Sequence, residues 1–281
     1  MSIAVTGATG QLGRLVVEAL KARVPASEIV AMVRTPEKAV DLGVAVRPGD
    51  YTQPETLEQS LAGVDTLLLI SSNEIGQRAA QHANVITAAK KAGVKRIVYT
   101  SLLRADTSTI SLAAEHLATE ETLKASGVPF TILRNGWYTE NHTGSISGAL
   151  AGGAFLGSAS DAKFSSAARA DFAEAAAVAL TTEGHEGNIY ELAGDTPYTL
   201  SDFAAELSRQ TGKEIPYKDL PQAEYGKILA GFGIPQDFAN AIAGWDVSAA
   251  QGDLLDSTHQ LSTLIGRPTT PFAETIAEAL K

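Results

Sequence analysis

A glycine-rich turn near the start of the chain has the composition of a phosphate-binding site. Gly7, Gly10 and Gly13 follow a short apolar segment, residues 3–6, and precede a stretch with apolar residues at helical spacing. Such a turn leaves backbone N–H groups unpaired at the start of a helix, where the helix dipole favours an anion. The spacing G-x-x-G-x-x-G also occurs in turns that bind nothing. A second apolar segment at 29–33 completes a β-α-β unit, so we interpret the turn as a pyrophosphate site.

Arg34 stands at the end of that second segment, where the two nicotinamide dinucleotides are told apart. Sites for NAD usually place an Asp or Glu about twenty residues beyond the glycines, where it binds the ribose 2′-hydroxyl. Here the position holds Arg34, and the next acidic residue is Glu37. A guanidinium binds a phosphate through paired, charge-assisted hydrogen bonds, whereas a carboxylate would repel it. Arg34 therefore favours NADP, with a solvated arginine at a strand end as the alternative.

The elements that must position these residues alternate between strand and helix patterns. Four further apolar segments and three intervening helical stretches follow along the chain, at 44–46, 54–61, 64–70, 76–92, 94–101, 112–126 and 128–134. This alternation predicts an α/β fold with a doubly wound parallel sheet of the Rossmann type. In such sheets ligands bind at the carboxyl ends of the strands.

Beyond residue 134 the pattern changes to short strands, alanine-rich stretches and turns marked by proline. We expect an NADP-binding domain over 1–134 and a smaller, mainly helical C-terminal region over 135–281 that covers the substrate. A strand pattern near 188–192 is expected to return to the sheet. The alanine-rich stretch 167–180 predicts a closely packed helix.

Composition limits the class of protein. The 281 residues carry a formal net charge of −10 and include no cysteine, which excludes disulfides and thiolate chemistry. The five histidines have no metal-ligand spacing, so no metal site is predicted. The acidic balance argues against nucleic-acid binding, which needs basic surface. No leader and no membrane-spanning apolar run is recognised, and we expect a cytoplasmic protein that does not bind membranes.

Several segments resemble those of a known family. Residues 6–13 are similar to the opening of the NmrA-like atypical short-chain dehydrogenase/reductases, and residues 91–101 to their fifth-strand signature. Residues 134–141 and 264–268 are similar to the branches of that family that reduce quinones and triphenylmethane dyes. The resemblance extends over essentially the whole chain.

The resemblance also implies which residues bind the cofactor. The segment after the fourth strand would line the ribose and adenine, and the segment after the sixth would flank the nicotinamide and the acceptor. Arg169 would reach the site from the C-terminal region, or else pair with Asp171. The implied set is Thr6, Gly7, Ala8, Thr9, Gly10, Gln11, Leu12, Gly13, Arg34, Ser71, Ser72, Asn73, Asn135, Gly136, Trp137, Tyr138, Thr139, Glu140, Asn141 and Arg169.

The proton donor of the broader superfamily is missing. Its reductases use a Tyr-x-x-x-Lys pair, in which the lysine lowers the tyrosine pKa so that it can protonate a carbonyl oxygen. Tyr99 lies in a predicted strand and is followed four residues later by Leu103. The corresponding helix has His116 and Glu120 on one face, which favours a contact between helices over a catalytic dyad. Tyr138 is the other candidate catalytic residue.

The missing donor favours acceptors that take a hydride without a strong acid. A ketone would build alkoxide charge, whereas a quinone yields a delocalised phenolate and a cationic dye is neutralised. Flat acceptors would suit stacking on Trp137 and Tyr138, although core packing explains these rings equally well. We predict a flavin-independent, NADPH-dependent quinone reductase. A dye reductase, a non-enzymatic NADP-binding redox sensor and a homodimer remain open.

Overall fold

The computed structural model describes residues 1–281. Its strands are β1 (Ile3–Thr6), β2 (Ile29–Val33), β3 (Ala45–Pro48), β4 (Thr66–Leu69), β5 (Arg96–Leu102), β6 (Phe130–Asn135), β7 (Phe155–Gly157), β8 (Ile189–Leu192) and β9 (Tyr217–Asp219). Its α-helices are α1 (Gln11–Lys21), α2 (Pro54–Ser60), α3 (Arg78–Lys91), α4 (Ala113–Ser126), α5 (Thr139–Thr143), α6 (Ile146–Gly152), α7 (Arg169–Thr181), α8 (Leu200–Thr211), α9 (Gln222–Gly231), α10 (Gln236–Ala250), α11 (Gln260–Ile265) and α12 (Phe272–Ala279).

The first of two compact units comprises Met1–Asp106, Ala114–Asn135 and Arg169–Leu192. Seven strands form one sheet in the order β3-β2-β1-β4-β5-β6-β8. Every neighbouring pair is parallel, which requires a crossover between successive strands. The strand order reverses between β1 and β4, and this switch point is where open α/β sheets bind ligands.

Helices cover both faces of this sheet, which explains why β1, β2 and β4 are almost continuously apolar. On one face Leu57 of α2, Val85 of α3 and Leu123 of α4 share a buried core with Leu67 and Ile97 of the sheet. Helices α1 and α7 pack on each other, and α7 also contacts β4, β5 and β6. The predicted doubly wound Rossmann-type fold is confirmed.

The chain passes between the two units more often than the boundary expected at residue 134 implies. The return strand near 188–192 forms as β8 beside β6, and α7 belongs to the same unit. Thr107–Ala113, which precedes most of α4, belongs to the second unit instead. Helix α7 packs on α1 because small, fully buried residues such as Ala175 and Ala177 allow a close approach.

The second unit comprises Thr107–Ala113, Gly136–Ala168 and Ala193–Lys281, and it is mainly helical as expected. Strands β7 and β9 form a small parallel sheet, α12 packs on α5 and α8, and α9 packs on α10. Tyr198 and Phe272 stack with ring centroids 4.3 Å apart in its aromatic core. Across the whole chain, no helix combines the length and apolar character needed to span a bilayer.

Candidate functional site

The glycine turn joins β1 to α1 and exposes Gly7 and Gly10 at the surface. Gly7 has a φ of +59°, in the left-handed region that glycine adopts without strain. Gly10 is the N-cap of α1, and neither a capping side chain nor an acidic residue occupies the first turn. The Gly10 N–H already donates to the Gly7 carbonyl at 2.9 Å, so the N–H groups available to an anion are those of the first turn of α1.

Gly13 allows α1 to pack closely against the turn. A Cβ at this position would lie 2.3 Å from the carbonyl oxygen of Gly7 and 2.7 Å from Cα of Ala8. Gly13→Ala should therefore displace the helix, lower the free energy of unfolding by about 1–3 kcal/mol and weaken dinucleotide binding. Denaturant unfolding and dinucleotide titration measure the two effects. Gly148→Ala, within α6 and with open space around it, is the matched control and should be neutral or stabilising. If Gly13→Ala and Gly148→Ala have the same stability and the same dinucleotide affinity, the close contact at Gly13 does not position α1.

Thr6 fastens the two strands of the switch point together. Its fully buried hydroxyl donates to the Leu68 carbonyl at 3.1 Å and accepts from the Ile70 N–H at 3.0 Å. The Tyr51 hydroxyl lies within hydrogen-bonding distance of both Thr6 Oγ1 and the Ile70 carbonyl. The Thr6 hydroxyl is thus fully used in hydrogen bonds within the protein. We therefore expect Thr6 to support the glycine turn, and the turn to contact the cofactor.

Arg34 is exposed immediately after β2, where its guanidinium is paired with an acid. Nη1 lies 2.8 Å from Oε1 of Glu74, with the two side chains 60% and 41% exposed. The other oxygen of Glu74 accepts a hydrogen bond from Gln81 at 2.7 Å. Asp50 is a second nearby acid: hydrogen bonds from Thr52 lower its pKa, and the charge of Arg34 lowers it further. A 2′-phosphate would therefore compete with Glu74 for Nη1 of Arg34.

Ser71 and Ser72 follow β4 and are held through their backbone atoms. The Ser71 N–H donates to Thr100 Oγ1, and the Ser72 N–H donates to His82 Nε2, both at 2.9 Å. The Ser72 carbonyl also accepts from Nε of the buried Arg78 at 2.5 Å. These bonds fix the segment beside the switch point and leave Asn73 exposed to a ligand.

Three of the predicted groups thus meet at one edge of the sheet of the first unit. The turn follows β1, Arg34 follows β2 and the Ser71-Ser72-Asn73 segment follows β4, and these strands are neighbours. Arg169 begins α7 in the same unit, where it is partly buried, two residues before the fully buried Asp171.

His82 is a neutral imidazole in this arrangement. Because Nε2 accepts the Ser72 N–H, the ring proton is assigned to Nδ1, which donates to Thr119 Oγ1 at 2.9 Å. Burial, together with the smaller effect of the charge of Arg78, lowers the pKa of His82 to about 3.

Mild acid should destabilise the protein through His82. Its folded-state pKa lies below the unfolded value of about 6.5, so the unfolded chain binds more protons between the two values. The stability contributed by the neutral ring is complete above the unfolded pKa and is lost as the pH falls towards the folded pKa. At about pH 5.5 the loss from this group should be about 1.4 kcal/mol. The buried His116 and His142 add similar losses to the wild-type protein, so the contribution of His82 is the difference between wild type and His82→Gln in denaturant unfolding at this pH and at neutral pH. His82→Gln should lose less stability between neutral pH and about pH 5.5 than the wild-type protein, whereas a variant of the exposed His259 should lose as much. If His82→Gln loses as much as the wild-type protein, His82 is not the buried neutral group assigned here.

His116 and Glu120 share a face of α4 as their spacing predicts, but their polar atoms bond to different partners. His116 Nδ1 lies 2.8 Å from the Tyr99 hydroxyl, and burial lowers the pKa of His116 to about 3. Glu120 is fully buried and accepts two hydrogen bonds from Arg134, at 2.9 and 2.8 Å, and one from Ser101 at 2.6 Å. A catalytic dyad would need a proton path between imidazole and carboxylate. The geometry favours the structural alternative for both residues.

The segment after β6 carries the residues predicted to flank the nicotinamide and the acceptor. Asn135, Gly136 and Thr139 are buried, whereas Trp137, Tyr138 and Glu140 are partly exposed and Asn141 is exposed. Tyr138 is the N-cap of α5, and its backbone bridges to Ala167. The ring of Trp137 meets that of Trp245 edge to face, with centroids 5.7 Å apart. The ring of Trp137 is therefore packed in place, and both aromatic residues of the segment keep part of their surface exposed.

Three residues around the switch point escaped the sequence-based prediction. Glu74 follows directly on the segment that was assigned to the ribose, but it is 40 residues from Arg34 in the sequence, and nothing there indicated that the two would meet. Tyr51 lies shortly after the third apolar segment, 44–46, at the expected ligand edge of the sheet. His82 carried no usable signal, because a histidine within a helix pattern is ordinary. No group of three or more His, Asp or Glu side chains is arranged to hold a metal ion.

Residues 7–183, from the glycine turn through α7, match the family model described as NAD(P)H-binding. The chain belongs to this NAD(P)H-binding family. It is 53% identical to quinone oxidoreductase 2 of Escherichia coli over 98% of this chain and 97% of that protein. The solved NADPH complex of an E. coli NADPH-dependent quinone oxidoreductase matches with a TM-score of 0.96 at 52% identity, covering 99% of this chain and all of that one. Triphenylmethane reductase from Citrobacter sp., solved with NADP(H), matches with a TM-score of 0.94 at 41% identity, covering 99% and 100%. The resemblance in the sequence is confirmed.

Proposed function

We propose that this protein is an NADPH-dependent oxidoreductase that transfers a hydride directly to a quinone. The observation that carries the proposal is the uncapped, glycine-lined start of α1 beside an arginine at the end of β2. The similarity to E. coli quinone oxidoreductase 2 over nearly the whole chain supports the choice of acceptor.

The residues of the first unit fit the dinucleotide. The exposed backbone of Gly7 and Gly10 leaves room for a pyrophosphate, and the close contact at Gly13 brings the positive end of α1 to it. Arg34 would hold the 2′-phosphate, and Ser71, Ser72 and Asn73 would line the ribose. When bound, NADPH supplies the hydride.

Residues 135–141, which we call the acceptor segment, are suited to an acceptor that needs little acid catalysis. Trp137 and Tyr138 would orient a flat ring by stacking, and orientation alone contributes several kcal/mol to a transfer between two bound partners. His116 is buried as a neutral ring bonded to Tyr99, so it offers no imidazolium as a proton donor near neutral pH. A quinone tolerates this, because the charge formed on its oxygen is delocalised over the ring.

The test is a panel of acceptors with purified, flavin-free protein. NADPH oxidation should accelerate on adding a quinone and should not accelerate with a simple ketone. NADH should serve less well than NADPH. If no quinone raises the rate above background, the proposed function fails. Tight binding of both NADP forms without turnover would then favour the non-enzymatic redox sensor.

A reductase of cationic triarylmethane dyes is the second candidate, favoured by the similarity to the Citrobacter reductase. Higher kcat/KM with a dye than with any quinone in the same panel would select it.

We further propose a cytoplasmic location, supported by the cysteine-free composition. A homodimer through α3 and α4 is proposed by analogy with related folds. The net charge of −10 supports the absence of a nucleic-acid partner.

A further inference from the structure

We propose that the α9–α10 hairpin of the second unit binds an apolar side chain carried by the quinone acceptor, an inference that rests on the proposed function. The tip of this hairpin presents five apolar side chains, which we call the hairpin patch: Ile228, Leu229, Phe232, Ile234 and Phe238. Phe232 is 72% exposed and Phe238 is 44% exposed, and the three aliphatic residues are half-buried. Single exposed apolar residues are ordinary, but a contiguous set of them marks a binding surface.

The local sequence forces this exposure. Phe232 is the C-cap of α9, Gly233 reverses the chain with a φ of +90°, and Pro235 begins α10. A turn this tight leaves no partner element over the side chains at its tip. Helix α9 contributes little other burial, because among its residues only Tyr225 and Gly226 are buried.

A row of aromatic rings connects the hairpin patch to the acceptor segment within the same unit. Phe238 meets Trp245 edge to face at 5.8 Å, and Trp245 meets Trp137 at 5.7 Å. Trp245 is 9% exposed and is fixed by a hydrogen bond of 2.9 Å from its indole N–H to Ser111. The row therefore runs from the residue expected to stack on the quinone ring, through the largely buried ring of Trp245, to the exposed tip.

The chemistry of the patch selects a substrate side chain over other occupants. The exposed acids Glu224 and Asp237 outnumber the one exposed lysine beside the patch, Lys227, and the chain carries a net charge of −10, so an anionic membrane surface would repel it. A stable dimer buries roughly 800 Å² on each partner, whereas the tip offers two well-exposed side chains. A hydrocarbon chain needs only a narrow apolar contact, and the row of aromatic rings that leads to the patch begins at Trp137 in the acceptor segment.

The experiment compares two quinones that share one ring, dimethoxymethylbenzoquinone with and without a decyl chain on the free carbon. With saturating NADPH, the wild-type protein should have the lower KM for the decyl compound. Phe232→Ala and Phe238→Ala should each raise that KM by about tenfold, since a few methylene groups would lose their apolar contact. Both variants should leave kcat and the KM for the short quinone unchanged. Val40→Ala, a change at a residue 78% exposed in the first unit, is the matched control and should alter neither.

A binding measurement without turnover separates this inference from the proposed function. The only two tryptophans of the chain, Trp137 and Trp245, both belong to the aromatic row, so their fluorescence reports directly on it. Without NADPH, the decyl quinone should quench this fluorescence at a lower concentration than the short quinone, and Phe238→Ala should abolish the difference.

The outcomes are distinct. Reduction of both quinones with equal KM and equal quenching would overturn the tail site and leave the proposed function intact. If the decyl quinone quenches the fluorescence at a lower concentration than the short quinone but neither quinone is reduced, the proposed function is overturned instead. If the phenylalanine variants change the sedimentation of the protein and impair both quinones alike, the patch is an interface between copies and the inference is wrong.

Discussion

Arg134→Met should lower the free energy of unfolding by about 3–5 kcal/mol, because it strands a buried carboxylate. Glu120 is fully buried, and its two strongest bonds come from Arg134 Nε and Nη2, at 2.9 and 2.8 Å. These hydrogen bonds raise the pKa of Arg134, so the guanidinium is charged at any accessible pH. After the substitution Glu120 would retain only the Ser101 hydroxyl at 2.6 Å and Lys124 at 3.5 Å. Denaturant unfolding near neutral pH measures the loss.

Two further variants determine the origin of this loss. Arg209→Met breaks a surface ion pair with Glu206 and should leave the free energy of unfolding nearly unchanged. Adding Glu120→Leu to Arg134→Met removes the stranded charge and should recover most of the stability. A cost for Arg134→Met as small as that of Arg209→Met would show that Glu120 does not depend on the guanidinium, and would restore it as a partner for His116.

The Arg134 network also explains why the helix after β5 carries no catalytic pair. Arg134 on β6 joins Glu120 of α4 to Glu191 of β8 at 2.8 Å and to Asp106 at 3.0 Å. Ser101 of β5 completes the set through Glu120. The helix face where the superfamily places its Tyr-x-x-x-Lys pair thus serves as an anchor for three strands. The residue that this anchor holds, Arg134, is followed directly by the first residue of the acceptor segment.

The fold was predictable because its signals are local and repeat along the chain. Strands buried on both faces are almost continuously apolar, as in β2 and β4, and the helical stretches between the strands indicate parallel crossovers. The membership of α7 in the first unit was not predictable in the same way. Its buried face consists of alanines, which carry little periodic contrast, and its packing partner α1 is distant in sequence.

The candidate site was predictable where one residue acts through its own backbone or charge. The glycine turn and Arg34 are of this kind, and both lie where the sequence places them. Partners brought together by tertiary packing were not predictable: Glu74 beside Arg34, Tyr51 beside Thr6 and His82 beneath Ser72. The spacing of His116 and Glu120 predicted that they share a helix face, as they do in α4. Spacing within one helix carries no information about Arg134 of β6, which binds the Glu120 carboxylate.

Arg34→Ala should weaken NADPH binding by about 1.5–3 kcal/mol, roughly ten- to a hundredfold, and leave NADH binding nearly unchanged. A guanidinium can bind the 2′-phosphate through two charge-assisted bonds, whereas NADH has only a hydroxyl at that position. Titration of each dinucleotide by fluorescence or calorimetry measures both affinities. Arg34→Lys keeps the charge but not the paired geometry and should lose an intermediate amount. Arg23→Ala, which removes an arginine paired with Glu174 instead, should change neither affinity.

The pairing of Arg34 with Glu74 makes a second variant informative about the same contact. If Arg34 binds the 2′-phosphate, Glu74 competes for Nη1 through a contact of 2.8 Å, so Glu74→Gln removes a competing charge and should strengthen NADPH binding. The pair is largely exposed, so the gain should not exceed about 1 kcal/mol, or roughly fivefold. In an Arg34→Ala background the same substitution should have no effect, because the competition is gone. If Arg34→Ala weakens NADPH and NADH equally, Arg34 does not bind the 2′-phosphate, and the preference for NADPH must arise from another residue at this edge of the sheet.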